Sequence, residues 1–275
     1  KLDWVVGNQI KEKYIMKICV LVKQVPDKDS DIKVENNQNK ISHQNLNFIT
    51  NDSDNYAVEE ALLLKEKHGG EVVICTFGME SSIQVIKDSL SKGADRGIFI
   101  HNDLNKEFDI LNKSKIIKNV LEKENFDLIL SGLQSDDIGN GQLGVLLAEH
   151  LNMSHGSLVM ETKMDSTETI KVKRELENGW FQWATLNLPA SITIQSGINK
   201  PRYASLRGIM MMKRKTIDTV KLTELNSIIN EQLTLKKLYA PIKTKKTEKI
   251  NGSSEEIADR IFTILKEDLM LLWNY

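Results

Sequence analysis

A glycine-rich polar stretch at residues 131–150 has the composition best suited to chemistry. It reads SGLQSDDIGNGQLGVLLAEH, in which an apolar run ends at Gly132 and a helical pattern starts near Gln142. Backbone amides at a helix N-terminus can bind phosphate where glycines permit close approach. An ordinary glycine-containing loop explains the stretch about as well, because it is neither GxGxxG nor a P-loop. The pattern predicts a strand, loop and helix, and it leaves phosphate binding open.

A second unusual segment, residues 200–215, combines apolar and basic side chains. It reads KPRYASLRGIMMMKRK, with three consecutive methionines. Flexible methionine surfaces flanked by charge are suited to docking several partners. On the local pattern alone, the start of a core-packing helix followed by a basic solvated face is at least as good an explanation.

No residue pattern predicts a catalytic centre or a metal site. Asp136 and Asp137 are adjacent carboxylates, but no histidine lies within a few residues, and such pairs more often cap turns. His150 and His155 fit helix-end and loop positions better than ligand positions. No GxSxG or HExxH motif occurs. We expect the chain to have no substrate chemistry of its own.

Composition argues against several classes of partner. The 275 residues are 40% hydrophobic, and 37 basic side chains nearly balance 38 acidic ones, so no global field attracts nucleic acid. Cys19 and Cys75 lie in separate apolar runs, which suits buried free thiols of a reducing compartment rather than a disulfide framework or a zinc site. No apolar run approaches the ~18 residues of a membrane span. We expect a soluble, intracellular protein.

Strand and helix patterns alternate through the first half of the chain. Apolar runs predict strands, and amphipathic spacing predicts helices between them. Strands separated by helices imply parallel pairing with right-handed crossovers and helices on both faces of the sheet. The predicted fold class is α/β, with a doubly wound, mostly parallel, Rossmann-like sheet. The strands are predicted at 17–25, 71–77, 97–101 and 126–131, and the helices at 54–67, 81–92 and 111–124.

The pattern changes after Gly156. Four runs follow one another with short polar breaks, namely SLVMETKM, TIKVKREL, WFQWATLNL and ASITIQ, and they predict a β-meander that extends the sheet, with a hairpin turn at 177–179. A lysine-rich linker and an amphipathic C-terminal helical arm at 255–272 come last. The predicted organisation is an N-terminal extension at 1–15, one α/β domain at 16–235, and the linker with its helix at 236–275.

Together these segments resemble the electron transfer flavoprotein β-subunit family, from about residue 17 to residue 221. Residues 201–215, PRYASLRGIMMMKRK, match the family signature P-R-Y-x-[ST]-L-x-x-I-M-x-x-[KR]-[KR]-K, and KICVLVKQVPD, AVEEALLLKEK and SKGADRGI match further landmarks. The resemblance implies a fold like that of the adenine nucleotide α hydrolases. It also implies an αβ heterodimer that carries electrons from dehydrogenases toward a quinone oxidoreductase, in the cytoplasm of a bacterium or in the mitochondrial matrix of a eukaryote.

The resemblance further implies that the α subunit holds most of the FAD, shared at the interface, while the β subunit holds a structural AMP. Two departures affect side-chain contacts: residues 51–53 are Asn-Asp-Ser where Asn-Pro-Phe is commoner, and GLQSDDIGNGQLG replaces GKQAIDDDxNQTG. Some members bind a second FAD in place of AMP and bifurcate electrons; we favour AMP. Carried over by position, the AMP pocket comprises Leu21, Asn51, Asp52, Ser53, Asp54, Phe77, Gly132, Leu133, Gln134, Ser135, Asp136, Asp137, Ile138, Gly139, Asn140, Gly141, Gln142 and Leu143.

The signature segment corresponds to the family's dehydrogenase recognition loop, here residues 202–211. Leu206 stands at the position of the anchoring leucine, with Arg202, Tyr203, Ile209 and Met210 around it. The resemblance implies that this loop docks dehydrogenases, with a basic rim that sets association rate. A nucleotide-binding protein of the universal-stress type is the alternative from another class, because similar sheets bind ATP.

Overall fold

The computed structural model describes residues 16–35, 40–42, 46–225, 233, 235–241, 247 and 249–268. Thirteen strands lie within them: β1 Lys17–Leu21, β2 Gln24–Pro26, β3 Val34–Glu35, β4 Lys40–Ile41, β5 Phe48–Thr50, β6 Glu71–Gly78, β7 Arg96–His101, β8 Leu128–Gly132, β9 Ser154–Met164, β10 Thr169–Glu175, β11 Phe181–Asn187, β12 Ala190–Ile194 and β13 Ile217–Lys221. The α-helices in the same residues are α1 Asp52–His68, α2 Ile83–Lys92, α3 Ile110–Leu121, α4 Leu143–His150, α5 Leu206–Met212 and α6 Ser254–Thr263.

Nine strands form one sheet, in the order β11-β10-β9-β12-β8-β1-β6-β7-β13. Strands β12, β8, β1, β6, β7 and β13 pair in parallel, whereas β9, β10 and β11 pair antiparallel with one another. From β1 the chain moves outward to β6 and β7 and then returns to β8 on the other side of β1. The predicted α/β class with a doubly wound, mostly parallel sheet is confirmed.

Two layers of apolar side chains cover the sheet, one on each face. On β1, Ile18 and Val20 pack with α1 and α2, while Cys19 and Leu21 face the opposite side with α3 and α4. Because both faces are covered, the central strands are apolar almost throughout, as the continuous run at 17–22 indicated. Cys19 and Cys75 are buried free thiols, as predicted.

The chain departs from the predicted strand at 17–25, which is two strands rather than one. The backbone N–H of Lys23 donates to the Asp54 carboxylate at 2.8 Å, and its carbonyl accepts from Asn51 N at 2.9 Å. These bonds draw the chain away from the sheet, so that β2 pairs with β5 in a separate small ribbon. An apolar pattern alone cannot reveal such a break.

The predicted meander is correct for three strands and wrong for the fourth. β9, β10 and β11 follow one another, and the predicted turn joins β10 to β11, with Asn178 at φ 56° and Gly179 at φ 76°. The run ASITIQ instead forms β12, which inserts between β8 and β9 and pairs in parallel with both. Its five residues are all buried, since the strand has neighbours on both sides and both faces.

The ends of the chain are described in part. Helix α6 continues as a π-helical turn at Ile264–Asp268, so the predicted helix at 255–272 is seen as far as residue 268. The predicted extension at 1–15 lies outside the described residues, as do residues 242–246 and 248 of the predicted linker. Among the described residues, no helix is both long and apolar enough to span a membrane.

Candidate functional site

The candidate site lies where the direction of strand order reverses. The loops after β1 and β8 flank this switch point, which is where ligands bind in open α/β sheets. Leu21 ends β1, Gly132 ends β8, and Phe77 lies near the end of the neighbouring β6. The structure therefore brings these three predicted residues to one edge of the sheet.

Asn51 and Ser53, at the start of α1, hold the backbone of the loop after β8. The Asn51 side chain donates to the Gln134 carbonyl at 3.0 Å and accepts from Asp136 N at 2.9 Å. The Ser53 hydroxyl donates to the same Gln134 carbonyl at 2.7 Å. Asn51 is only 1% exposed, so its amide is committed to the loop. These predicted residues fix the loop's conformation from beneath.

Asp54 joins the ends of β1 and β8 to helix α1. Its carboxylate accepts from Gly132 N at 3.0 Å and from Lys23 N at 2.8 Å. Burial raises the pKa of Asp54 to about 7, although the hydrogen bonds from Lys23 and Gly132 act in the opposite direction. Contact here is close: a Cβ on Gly132 would lie 2.2 Å from Ser53 Oγ and 2.5 Å from Asp54 Oδ1. Only glycine fits at residue 132.

Lys23 closes the site from the β1 side. Its ammonium lies 2.6 Å from Asp137 Oδ1 and 3.4 Å from Ser135 Oγ. Partial burial would raise the pKa of Asp137, but the hydrogen bonds from Lys23 and Ser135 outweigh it and hold that pKa below its usual value. Asp136 lies 3.8 Å from Lys28. The adjacent carboxylates thus stabilise the loop through lysines, and no group of possible metal ligands occurs in the described part of the chain.

The outer part of the loop is exposed and rich in glycine. Gly139 and Gly141 have φ values of 67° and 61°, in the left-handed region that favours glycine. Ile138, Asn140 and Gln142 are exposed as well. Helix α4 begins at Leu143, as predicted, and no side chain caps its N-terminus. The base of the loop is fixed by hydrogen bonds, whereas its outer turn is exposed and the backbone N–H groups at the start of α4 have no side-chain cap. This arrangement suits the binding of an anion.

The remaining predicted pocket residues lie around this turn. Leu133 is anchored through its N–H to the Ile194 carbonyl at 3.0 Å, whereas the Gln134 side chain is exposed. Asp52, the first residue of α1, is exposed beside its buried neighbours. Phe77 is half-buried and packs against Phe108, with ring centroids 6.1 Å apart. Sequence reasoning missed Lys23 and Phe108, which belong to no motif.

The predicted recognition loop is partly helical. Ser205 caps α5 by accepting from Gly208 N at 3.0 Å, and Leu206 is the first helical residue. Tyr203 is 94% exposed, Leu206 84% and Met210 71%, with Ile209 exposed on the same segment. We call residues 203–210 the docking segment. Arg202 differs from these side chains, because its guanidinium pairs inward with Glu59 and Glu66 of α1.

Comparisons with known proteins are consistent in the family they indicate. The sequence model described as the electron transfer flavoprotein domain matches residues 38–225. Electron transfer flavoprotein subunit beta of Methylophilus methylotrophus is 32% identical over 261 residues, which is 92% of this chain and 98% of the relative. The Bacillus subtilis protein of that name is 31% identical over 264 residues, 94% and 100% of the two chains. The mitochondrial protein of Arabidopsis thaliana is 32% identical over 248 residues, 90% and 97%.

The raised pKa of Asp54 predicts a pH-dependent contribution to stability. The folded state keeps this proton up to about pH 7, whereas an unfolded aspartate loses it near the ordinary value of 3.8. The unfolded state therefore binds fewer protons in this window, and the free energy of unfolding falls as pH rises, by up to about 1.4 kcal/mol per pH unit. Asp54→Asn lacks this slope but loses one hydrogen-bond acceptor.

Urea unfolding of the parent and Asp54→Asn at pH 5 and pH 8 checks this prediction. We expect the variant to be the less stable protein at pH 5 and to approach or pass the parent at pH 8. Comparing the two proteins cancels the titration of all other groups. Parallel pH profiles would show that Asp54 titrates normally.

Proposed function

Because the chain belongs to the electron transfer flavoprotein family, among its β subunits, we propose that it pairs with an α subunit as a carrier that accepts electrons from dehydrogenases and passes them toward a quinone oxidoreductase. The observation that carries this proposal is the docking segment, where the side chains of Tyr203, Leu206 and Met210 are largely exposed on a folded chain. Contiguous large apolar side chains at a surface mark an interaction site. Leu206 and Met210 lie on helix α5, whose N-terminus is capped by Ser205, and no residue of this helix is buried.

We propose AMP as the nucleotide of the loop after β8. The amides of residues 140–145, at the open turn and the start of α4, would hold its phosphate, while Leu21 and Phe77 would face the rest of the molecule from the strand ends. The hydrogen bonds that Asn51 and Ser53 donate to the Gln134 carbonyl, and the one that Asp54 accepts from Gly132 N, support this role, since they fix the loop's base in advance. A preorganised site loses less entropy on binding. FAD would be held mainly by the α subunit and shared at the interface.

We propose that α6 packs on the α subunit. No residue of α6 is buried, although Ile257 and Ile261 lie four positions apart on one side of the helix, and Ile261 and Phe262 are 46% and 55% exposed. Its N-terminus carries a capping box, in which Ser253 and Glu256 satisfy each other's backbone amides. A capped amphipathic helix with its apolar side uncovered suits a helix that packs on another chain.

The nucleotide proposal predicts that Gly141→Val loses bound AMP. A β-branched residue is strained at φ 61°, so the turn must change shape even though a Cβ there meets nothing closer than 3.7 Å. Gly179→Val is the matched control, since φ is 76° and a Cβ meets nothing within 4 Å in a hairpin far along the chain. Nucleotide released from each purified αβ complex is identified by mass spectrometry.

Three outcomes of that measurement bear on the proposal. One AMP and one FAD in the parent and in Gly179→Val, with AMP missing from Gly141→Val, is the expected result. Two FAD molecules per parent complex would replace the simple carrier with an electron-bifurcating protein. Full AMP occupancy in Gly141→Val would show that the nucleotide binds elsewhere.

The docking proposal predicts that Leu206→Ala weakens electron transfer from a dehydrogenase. Removing about three buried carbons from the interface costs about 2 kcal/mol, or about a thirtyfold loss of affinity. Leu104→Ala, at a leucine that is 50% exposed outside the segment, is the control. The measurement is the dependence of flavin reduction rate on complex concentration, with a dehydrogenase of the same organism that reduces the parent. Dithionite should reduce all three complexes alike. An unchanged KM for Leu206→Ala would contradict the docking role.

The assembly proposal predicts that truncation after residue 249 impairs pairing with the α subunit. The α/β core lies wholly before this point, so the shortened chain should fold and unfold in urea like the parent. Co-expression with the α subunit and size-exclusion chromatography then measure the fraction assembled. Ile261→Asp, beside Asp259→Asn on the same helix, separates the loss of an apolar contact from the loss of length. Normal assembly of the truncated chain would refute the role of α6.

A further inference from the structure

The guanidinium of Arg202 pairs with two carboxylates of the same chain. Its Nε and Nη2 donate to Glu59 at 2.8 and 2.9 Å, and its Nη1 and Nη2 donate to Glu66 at 2.5 and 3.2 Å. The backbone N–H of Arg202 also donates to Glu59, at 3.1 Å. Four of the five guanidinium N–H donors are used in this way. Little of this group remains for a partner protein.

The two carboxylates lie on the same side of helix α1. Glu59 and Glu66 lie seven positions apart, which places them on the same side of the helix about two turns from each other. Glu59 is buried at 6% exposure, so its charge depends on the arginine for compensation. Consistent with the pairing, the hydrogen bonds and charge of Arg202 lower the pKa of Glu66.

Contacts on either side of Arg202 hold the same stretch of chain. Asn199 donates to the Tyr56 carbonyl and to Glu60, each at 3.0 Å. Beyond the docking segment, Lys215 donates to the Leu90 carbonyl at 2.9 Å, at the end of α2. Between these anchors the large apolar side chains of the docking segment, Tyr203, Leu206, Ile209 and Met210, are exposed. The segment is thus fixed by its ends while its apolar surface stays open.

We propose that Arg202 is a positioning residue for docking: through Glu59 and Glu66 it holds residues 203–210 on α1 in the conformation that presents Leu206. The proposal rests on the docking function proposed above and deepens it, because it assigns Arg202 to the domain side of the segment and not to the partner's surface. Ordering the segment before the encounter lowers the entropy lost on binding. Arginine is required here for its planar fork, which a lysine cannot reproduce.

The primary test is amide hydrogen exchange on the purified αβ complex, which needs no dehydrogenase. Arg202→Lys keeps the positive charge beside buried Glu59, so that the domain stays folded, but it loses the fork. Glu66→Gln removes the exposed half of the pair. We expect amides of Ile209 to Met212, which are hydrogen-bonded within α5, to exchange roughly tenfold or more faster in both variants, because the short helix opens more often once the anchor before its N-terminus is weakened. Exchange in α1 and in β8 should not change, and Arg207→Lys, at an exposed position of α5, should match the parent.

A double-mutant cycle separates positioning from direct contact. If Arg202 acts only through Glu66 and Glu59, the double variant Arg202→Lys with Glu66→Gln should raise KM for the dehydrogenase hardly more than Arg202→Lys alone, with kcat and AMP content unchanged. The salt dependence of the reaction should be that of the parent for these variants and weaker for Arg207→Met.

Different results identify which idea is wrong. Unchanged exchange in Arg202→Lys would overturn the positioning role whatever the segment binds. Additive KM effects of the two substitutions would make Arg202 a direct docking contact. Faster exchange with an unchanged KM would support the anchoring role of Arg202 but would contradict the proposed docking function.

Discussion

The hydrogen bonds of Asp54 are the contact on which the candidate site depends. One carboxylate, at the start of α1, binds the backbone at the ends of β1 and β8, the two strands on either side of the switch point. With α1 fixed there, Asn51 and Ser53 donate hydrogen bonds to the loop after β8, and the Lys23 ammonium pairs with Asp137. The cost is a carboxyl group removed from water. Unfavourable local features of this kind are expected at functional sites, where the stability of the surrounding structure holds them in place.

The sequence predicted the fold class because alternation of strand and helix patterns is a local property. It did not predict the place of β12, since an apolar run of five residues does not specify its neighbours in a sheet. Gly132 and the start of α4 were predictable from a glycine after a strand and a helical pattern after it. Lys23 was not, because its role comes from a partner 114 positions away. Arg202 was expected in the docking surface, yet its carboxylate partners lie up to 143 positions away on α1.

Helix α1 supports both regions to which we assign a function, the loop after β8 and the docking segment. Its first residues support the loop that we assign to the nucleotide, and Glu59 and Glu66 support the docking segment. About 21 Å separates residue 52 from residue 66 along a straight helix. The helix packs on the sheet through Ala57, Ala61 and Leu64, all buried, so it cannot shift without disturbing the core. The two sites are therefore held at a fixed separation by one element.

The capping box of α6 affects how this chain would associate with the α subunit. A ten-residue helix with no buried residue is marginal in water, and the reciprocal bonds of Ser253 and Glu256 favour its first turn before any partner arrives. A segment that is already helical at first collision has fewer conformations to lose as it settles onto a surface. The capped first turn would thus speed capture of the second chain and would make assembly sensitive to the stability of that turn.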